Sequence, residues 1–293
     1  MISPQSDHDP LERQHWLEAL RWQIEAGADE AIGDRPVDRT VAAAKPAPAP
    51  RAQAAPAPRG LAEAPAKTAP RPPANLVSAN EAQVSAQRLA AAAKSIADIR
   101  GALEVFEGCP LKATATNLCL YDGNPDAKIM IIGEAPGAQE DRQGKPFVGP
   151  AGQLLDRMLG AIDLDRSSVY ITNLLCWRPP GNRNPTPGEI AACLPFLERQ
   201  IEILAPKMLL LVGGMSAKTL LHRSEGILKL RGRWADYHHP RLEHPIPALP
   251  TLHPAYLLRQ PAQKREAWRD LLSFAEALER EGLHGGAAEA AAP

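Results

Sequence analysis

Between residues 128 and 280, short aliphatic runs alternate with longer stretches of helical periodicity, and this alternation restricts the possible folds more than any other feature. Lys128-Ile-Met-Ile-Ile-Gly133, Val169-Tyr-Ile-Thr172, Met208-Leu-Leu-Leu-Val212 and a weaker run from Pro247 to Leu252 have the length and near-continuous apolarity of strands buried on both faces. Gly152–Ala161, Glu189–Leu204, a stretch from about Ser216, and Lys264–Arg280 read as helices. Strands joined by helices of this length pair in parallel, with the crossovers covering the sheet. The prediction is an α/β chain: a three-layer α/β/α sandwich with a central, mostly parallel, four-stranded sheet over residues 80–281. An Ala-rich helical stretch over 80–105 leads into it.

The flanks have a different texture. Residues 1–38 hold nine acidic and three basic residues, with Leu11, Trp16, Leu20 and Ile24 at helical spacing. They predict an acidic segment with one short amphipathic helix. Residues 39–79 are rich in Ala and Pro and carry six basic residues against one acidic. Such a segment has too few large apolar side chains to offset its ordering entropy, so a disordered linker is expected. The Gly/Ala-rich stretch 282–293 is expected to be a disordered tail. Lys+Arg 33 against Asp+Glu 34 leaves room for a local basic patch and so does not exclude a polyanionic partner. No apolar run approaches the roughly 18 residues that span a bilayer, and Met1–Asp9 has no apolar leader core. No membrane partner and a cytoplasmic location are expected. Four cysteines in 293 residues do not make a disulfide framework; they are candidate thiols or metal ligands.

In open parallel sheets ligands bind beyond the carboxyl ends of the strands. That rule selects Gly133-Glu-Ala-Pro-Gly137 after the first strand, Asn173 after the second, Gly213-Gly214 after the third and His253-Pro254 after the fourth. A carboxylate, an amide, a glycine pair and an imidazole thus converge on one rim. The loop from Gly133 to Gly152 is rich in glycine and proline, which permits tight turns and close backbone approach to a ligand. Phe147 is its one aromatic residue, a platform for a flat base. From Lys229 to Arg265 seven basic residues, among them Arg231 and Arg259, outnumber two acidic ones and are candidates for phosphate contact.

These residues resemble the uracil-DNA glycosylase superfamily, family four in particular, over roughly residues 105–275. The resemblance lies in Gly133-Glu-Ala-Pro-Gly137 with Glu140-Asp141, Gly144-Lys-Pro-Phe-Val-Gly149, Ile171-Thr-Asn173, Arg178-Pro-Pro-Gly-Asn-Arg183, Arg231-Gly-Arg-Trp234 and His253-Pro-Ala-Tyr-Leu-Leu-Arg259. It implies a DNA-repair enzyme that flips uracil out of DNA and hydrolyses its N-glycosidic bond, with Glu134, Glu140 and His253 catalytic. Gly133, Ala135, Pro136, Gly137, Phe147 and Asn173 would bind the base. Arg183 would contact DNA, and Leu257, Leu258 and Arg259 would form a wedge filling the emptied stack. The implied partners are uracil-containing DNA, single- or double-stranded, and the abasic product, acted on by a monomer that associates with the bacterial nucleoid when bound to DNA.

Family four carries a [4Fe–4S] cluster on four cysteines, and here the pattern departs. Cys109 and Cys193 match two of the four positions. Phe106 stands in the first and Trp177 in the third, with Cys176 one residue earlier. Fe–S sites of this kind need four thiolates. The expectation is therefore no metal and no cofactor, with aromatic packing in place of the cluster and Cys119 a buried thiol in a strand over 117–121. Two other classes remain open: a binder of uracil-containing or abasic DNA without turnover, and a phosphate-ester hydrolase. The second would need a phosphate loop or metal-ligand set that the sequence lacks.

Overall fold

The computed structural model describes residues 79–283. The acidic segment 1–38, the linker as far as residue 78 and nearly all of the tail lie outside the described residues; Ala79, expected to end the linker, starts the first helix. Two helices open the described region, α1 (Ala79–Ala92) and α2 (Ile96–Val105), the second started by a reciprocal Ser95–Asp98 cap. β1 (Tyr121–Gly123) follows, then β2 (Ile129–Gly133), which leads through α3 (Ala138–Gln143) and α4 (Pro150–Gly160) to β3 (Tyr170–Asn173). α5 (Pro187–Leu204), capped by Thr186 and Glu189, returns to β4 (Met208–Val212). The short α6 (Gly214–Leu220) and α7 (Ile227–Leu230) precede β5 (Ala235–Tyr237) and β6 (Ile246–Thr251). α8 (Pro254–Arg259) and α9 (Lys264–Arg280) close the region. No helix among the described residues is long and apolar enough to cross a membrane.

The sheet order is β1-β3-β2-β4-β6-β5. The four inner strands are those the sequence predicts, and they pair in parallel. The sheet nevertheless has six strands, not four: β1 and β5 add antiparallel edges. Each edge strand is three residues long and lacks an apolar run, so neither leaves a periodic trace in the sequence. The strand expected over 117–121 begins only at Tyr121.

The inner strands alternate between two cores, as side chains on successive strand residues must. Ile129 and Ile131 of β2 and Leu210 and Val212 of β4 pack with Leu155 and Leu159 of α4 and Leu271 and Phe274 of α9. Met130, Ile132, Leu209 and Leu211 face the other way, onto Leu197 and Ile201 of α5 and Leu220 of α6. A third core joins α1, α2 and the first half of α5 around Phe106, Trp177 and Phe196. From β2 the chain steps to β3 on one side and then crosses to β4 on the other. This reversal opens a crevice at the carboxyl ends of the strands.

Candidate active site

A cavity of about 470 Å³ lies at that crevice, walled by residues that follow four parallel strands. Glu134 follows β2 directly. Its Oε1 accepts the N–H of Met215, in the first turn of α6, at 2.8 Å, and its other oxygen accepts no hydrogen bond from the described residues. Gly213 makes this approach possible. It sits at φ 112°, and a Cβ there would stand 2.5 Å from Glu134 Oε1.

Asn173 ends β3 and is 2% exposed, and its Oδ1 is buried with no hydrogen-bond partner among the described residues. Gly133 lets the chain pass close to that amide: a Cβ there would lie 2.4 Å from Asn173 Oδ1 and 2.5 Å from Phe147 Cζ. The Phe147 ring stacks on His253, with centroids 5.6 Å apart and planes at 26°. His253 follows β6 and caps α8, where its Nδ1 accepts the N–H of Ala255 at 3.1 Å. An accepting ring nitrogen carries no proton, so Nε2 is the donor of the neutral imidazole. Burial pushes this pKa below the ordinary 6.5, against the pull of Glu134 and Glu140.

Glu140 also reaches the cavity wall, but its carboxylate is committed to the loop. It accepts the N–H of Gly137 at 3.1 Å, Val148 at 3.0 Å and Gly149 at 2.8 Å. That pattern organises backbone around Phe147 and leaves Glu134 as the less encumbered carboxylate. Ala135, Pro136 and Gly137 line the same wall.

On the mouth, Arg183 lines the cavity while its guanidinium is held by Glu189, through Nη1 at 2.9 Å and Nη2 at 2.5 Å. The pair ties the Arg178–Pro185 loop to the start of α5, assisted by Arg178 Nε on Asn182 Oδ1 at 2.8 Å. Arg259 lies at the cavity edge and is exposed. Leu258 is 41% exposed, but Leu257 is 1% exposed and packs in the core beneath α8. Leu257 is therefore not part of the outward wedge: neighbouring helical residues point about 100° apart, and Leu257 takes the inward direction. Arg231 also departs from its expected phosphate contact. It pairs with Glu266 at 2.9 Å and with the buried Asp270, which Thr251 also bonds at 2.8 Å. Ile227, Leu252 and Tyr256 also line the cavity, although in the sequence each looks like an ordinary apolar position.

The cysteines do not fit a [4Fe–4S] cluster. Cys109, Cys176 and Cys193 share one core with Phe106, which is 1% exposed and stands edge-on to Phe196 at 5.2 Å. Cys193 Sγ lies 3.9 Å from Cys109 Sγ, and hydrogen bonding with Cys193 together with burial pushes the Cys109 thiol well up. Cys119 lies elsewhere, its Sγ donating to the Glu140 carbonyl at 3.1 Å, its pKa pushed up to about 12 by burial. The set thus offers three thiols in one core where four ligands are required, and an aromatic ring holds the remaining place.

A doubly wound sheet with an unpartnered amide oxygen, an aromatic ring, an imidazole and a carboxylate around one cavity at its switch point defines a candidate ligand site. The sequence model of the uracil DNA glycosylase superfamily matches residues 120–272, and the chain belongs to that superfamily. Within it the chain belongs to family four. It is 40% identical over 173 residues to a type-4 uracil-DNA glycosylase of Sulfurisphaera tokodaii, covering 57% of this chain and 78% of the relative. It is 41% identical over 170 residues to the type-4 uracil-DNA glycosylase of Pyrobaculum aerophilum, covering 57% and 86%. For the type-4 enzyme of Archaeoglobus fulgidus the figures are 36% over 187 residues, covering 62% and 93%.

Proposed function

We propose that the chain is a uracil-DNA glycosylase that flips uracil out of DNA and hydrolyses its N-glycosidic bond, leaving an abasic site. The observation that carries this reading is the buried, unpartnered Asn173 Oδ1 beside Phe147 and His253. An orphaned buried acceptor costs about 1–3 kcal/mol, and the N3–H of uracil is a donor that relieves it. The amide nitrogen then donates to uracil O4, where cytosine presents a donor instead. Phe147 stacks on the base, and Gly133 keeps its edge unobstructed.

A duplex hides the glycosidic bond, so the base must leave the stack, at a cost of a few kcal/mol. Bond cleavage builds positive charge on the sugar and negative charge on uracil. Glu134 opposes the first and, through its unbonded oxygen, orients the attacking water. His253, neutral with its proton on Nε2, donates to O2 and opposes the second. Glu140 acts as a positioning residue for the loop, and Leu258 with Arg259 meets the DNA at the mouth. Among the described residues no lysine lines the cavity, in keeping with a monofunctional reaction. The partners are uracil-containing DNA, single- or double-stranded, and the abasic product, in the cytoplasm.

A labelled oligonucleotide holding one uracil tests this, with thymine, cytosine and hypoxanthine controls. Uracil-dependent breaks that appear only after alkali are the expected result. Tight retention of uracil-DNA without breaks would replace the enzyme by a binding protein.

A further inference from the structure

Phe147 sits at φ 53°, a left-handed conformation that bulky residues rarely adopt. Such a residue keeps its geometry only if its surroundings over-determine it, and three contacts do so here. Glu140 accepts the N–H groups of Val148 and Gly149, the two peptides that follow. Gly152 in the first turn of α4 lets the Phe147 peptide press against the helix: a Cβ there would lie 1.7 Å from the Phe147 carbonyl oxygen. That carbonyl in turn accepts from Nη2 of Arg166.

Arg166 lies between α4 and β3 and does not line the cavity. Its guanidinium is anchored at two further points. Nη1 donates to Asp122 Oδ2 of β1 at 2.6 Å, and Nε donates to Asp156 Oδ1 of α4 at 2.8 Å. Nη1 also stands 3.4 Å from the Pro146 carbonyl, and Lys145 completes the group at 3.2 Å from Asp122. A sheet edge, a helix and the backbone of the Phe147 turn are therefore joined through one planar fork, which lysine cannot reproduce.

We propose that Arg166 is a positioning residue for base recognition: anchored by Asp122 and Asp156, it clamps the Phe147 carbonyl and so holds the ring against His253 and over Gly133. The proposal rests on the reading of this cavity as a uracil site. Without the clamp, the turn relaxes toward negative φ, and rotation about the Phe147 N–Cα bond carries the ring off the position that the base would stack on.

The test is a double-mutant cycle on uracil excision, with folding of each variant checked by thermal unfolding. Arg166→Met lowers kcat/KM by about 10- to 100-fold, the range a displaced recognition group costs. In a Phe147→Ala background the same change costs less than about twofold, because the ring it positions is gone. Arg166→Lys restores little, since charge without the fork leaves the carbonyl unclamped. Should Arg166→Met fail to fold, Asp156→Asn, which loosens a half-exposed anchor, replaces it in the same cycle. Losses of equal size in both backgrounds, or full rescue by lysine, would overturn the proposal and leave Arg166 a general structural ion pair. If the wild-type protein binds uracil-DNA without cleaving it, the cycle is read on affinity by fluorescence anisotropy. If it neither cleaves nor binds, the uracil-site reading has failed, and the proposal with it.

Discussion

His253 is held in one tautomer by the Ala255 N–H, and Asn173 presents a buried amide whose oxygen no neighbour among the described residues occupies; selectivity follows from these two groups. Asn173 offers an acceptor and a donor from one buried amide. Asn173→Asp offers acceptors only, which repels O4 of uracil and suits the amine of cytosine. The expected outcome is a fall of about 100-fold or more in the uracil-over-cytosine ratio of kcat/KM, measured on matched oligonucleotides. For His253 the sign follows from burial. Its pKa in the folded protein lies below 6.5, so the neutral donor form persists as pH falls past the value at which a free histidine charges. Excision should hold its rate through pH 6.5 and decline only lower, as the ring protonates and loses its bond to the Ala255 N–H. The same depressed pKa contributes stability that is present above pH 6.5 and is lost as pH falls toward the folded value. Proton NMR of the ring, compared between wild type and His253→Gln, checks the assignment. Glu134→Ala should lower turnover far more than DNA affinity; excision at the wild-type rate would remove Glu134 from its role.

The elements carry these groups with little slack. Gly133 at the end of β2 faces Asn173 and Phe147 at less than ordinary contact distance once a Cβ is added. Gly133→Ala should therefore cost about 1–3 kcal/mol of stability, read from denaturant unfolding, and most of the excision rate. Among the helices, the third core should tolerate loss of its thiols. Cys109→Ala with Cys193→Ala is expected to excise uracil normally while unfolding at a modestly lower temperature. A purified wild-type protein that is brown and holds iron would contradict that packing of the core. The inner strands were legible in the sequence because β2 and β4 are unbroken apolar runs and the weaker runs at β3 and β6 recur at the spacing of helix crossovers, and so were the groups that follow them, because position after a strand is itself a signal. The edge strands were not, being three residues long and half-buried. Leu257 was misplaced because the motif carries no helical phase until α8 fixes it. Arg166 escaped notice because its role runs through a backbone carbonyl, and an arginine in a polar turn looks like any other.

Across the molecule, the described residues supply their own three cores, and every group of the candidate site lies within them. A chain of residues 70–293 should accordingly fold and excise uracil from a free oligonucleotide with kcat/KM within about threefold of the full chain. A larger loss would show that the acidic segment or the linker contributes to catalysis. The site itself has a divided ownership: Glu134, Asn173, Gly213 and His253 each hang from a different strand, and Phe147 from a loop with its own clamp. Change in one loop therefore leaves the other contributors standing on the shared frame. Over evolutionary time such an arrangement lets a strand-end group be exchanged while the frame stands, except where Gly133, Asn173 and Phe147 crowd one another and must change together.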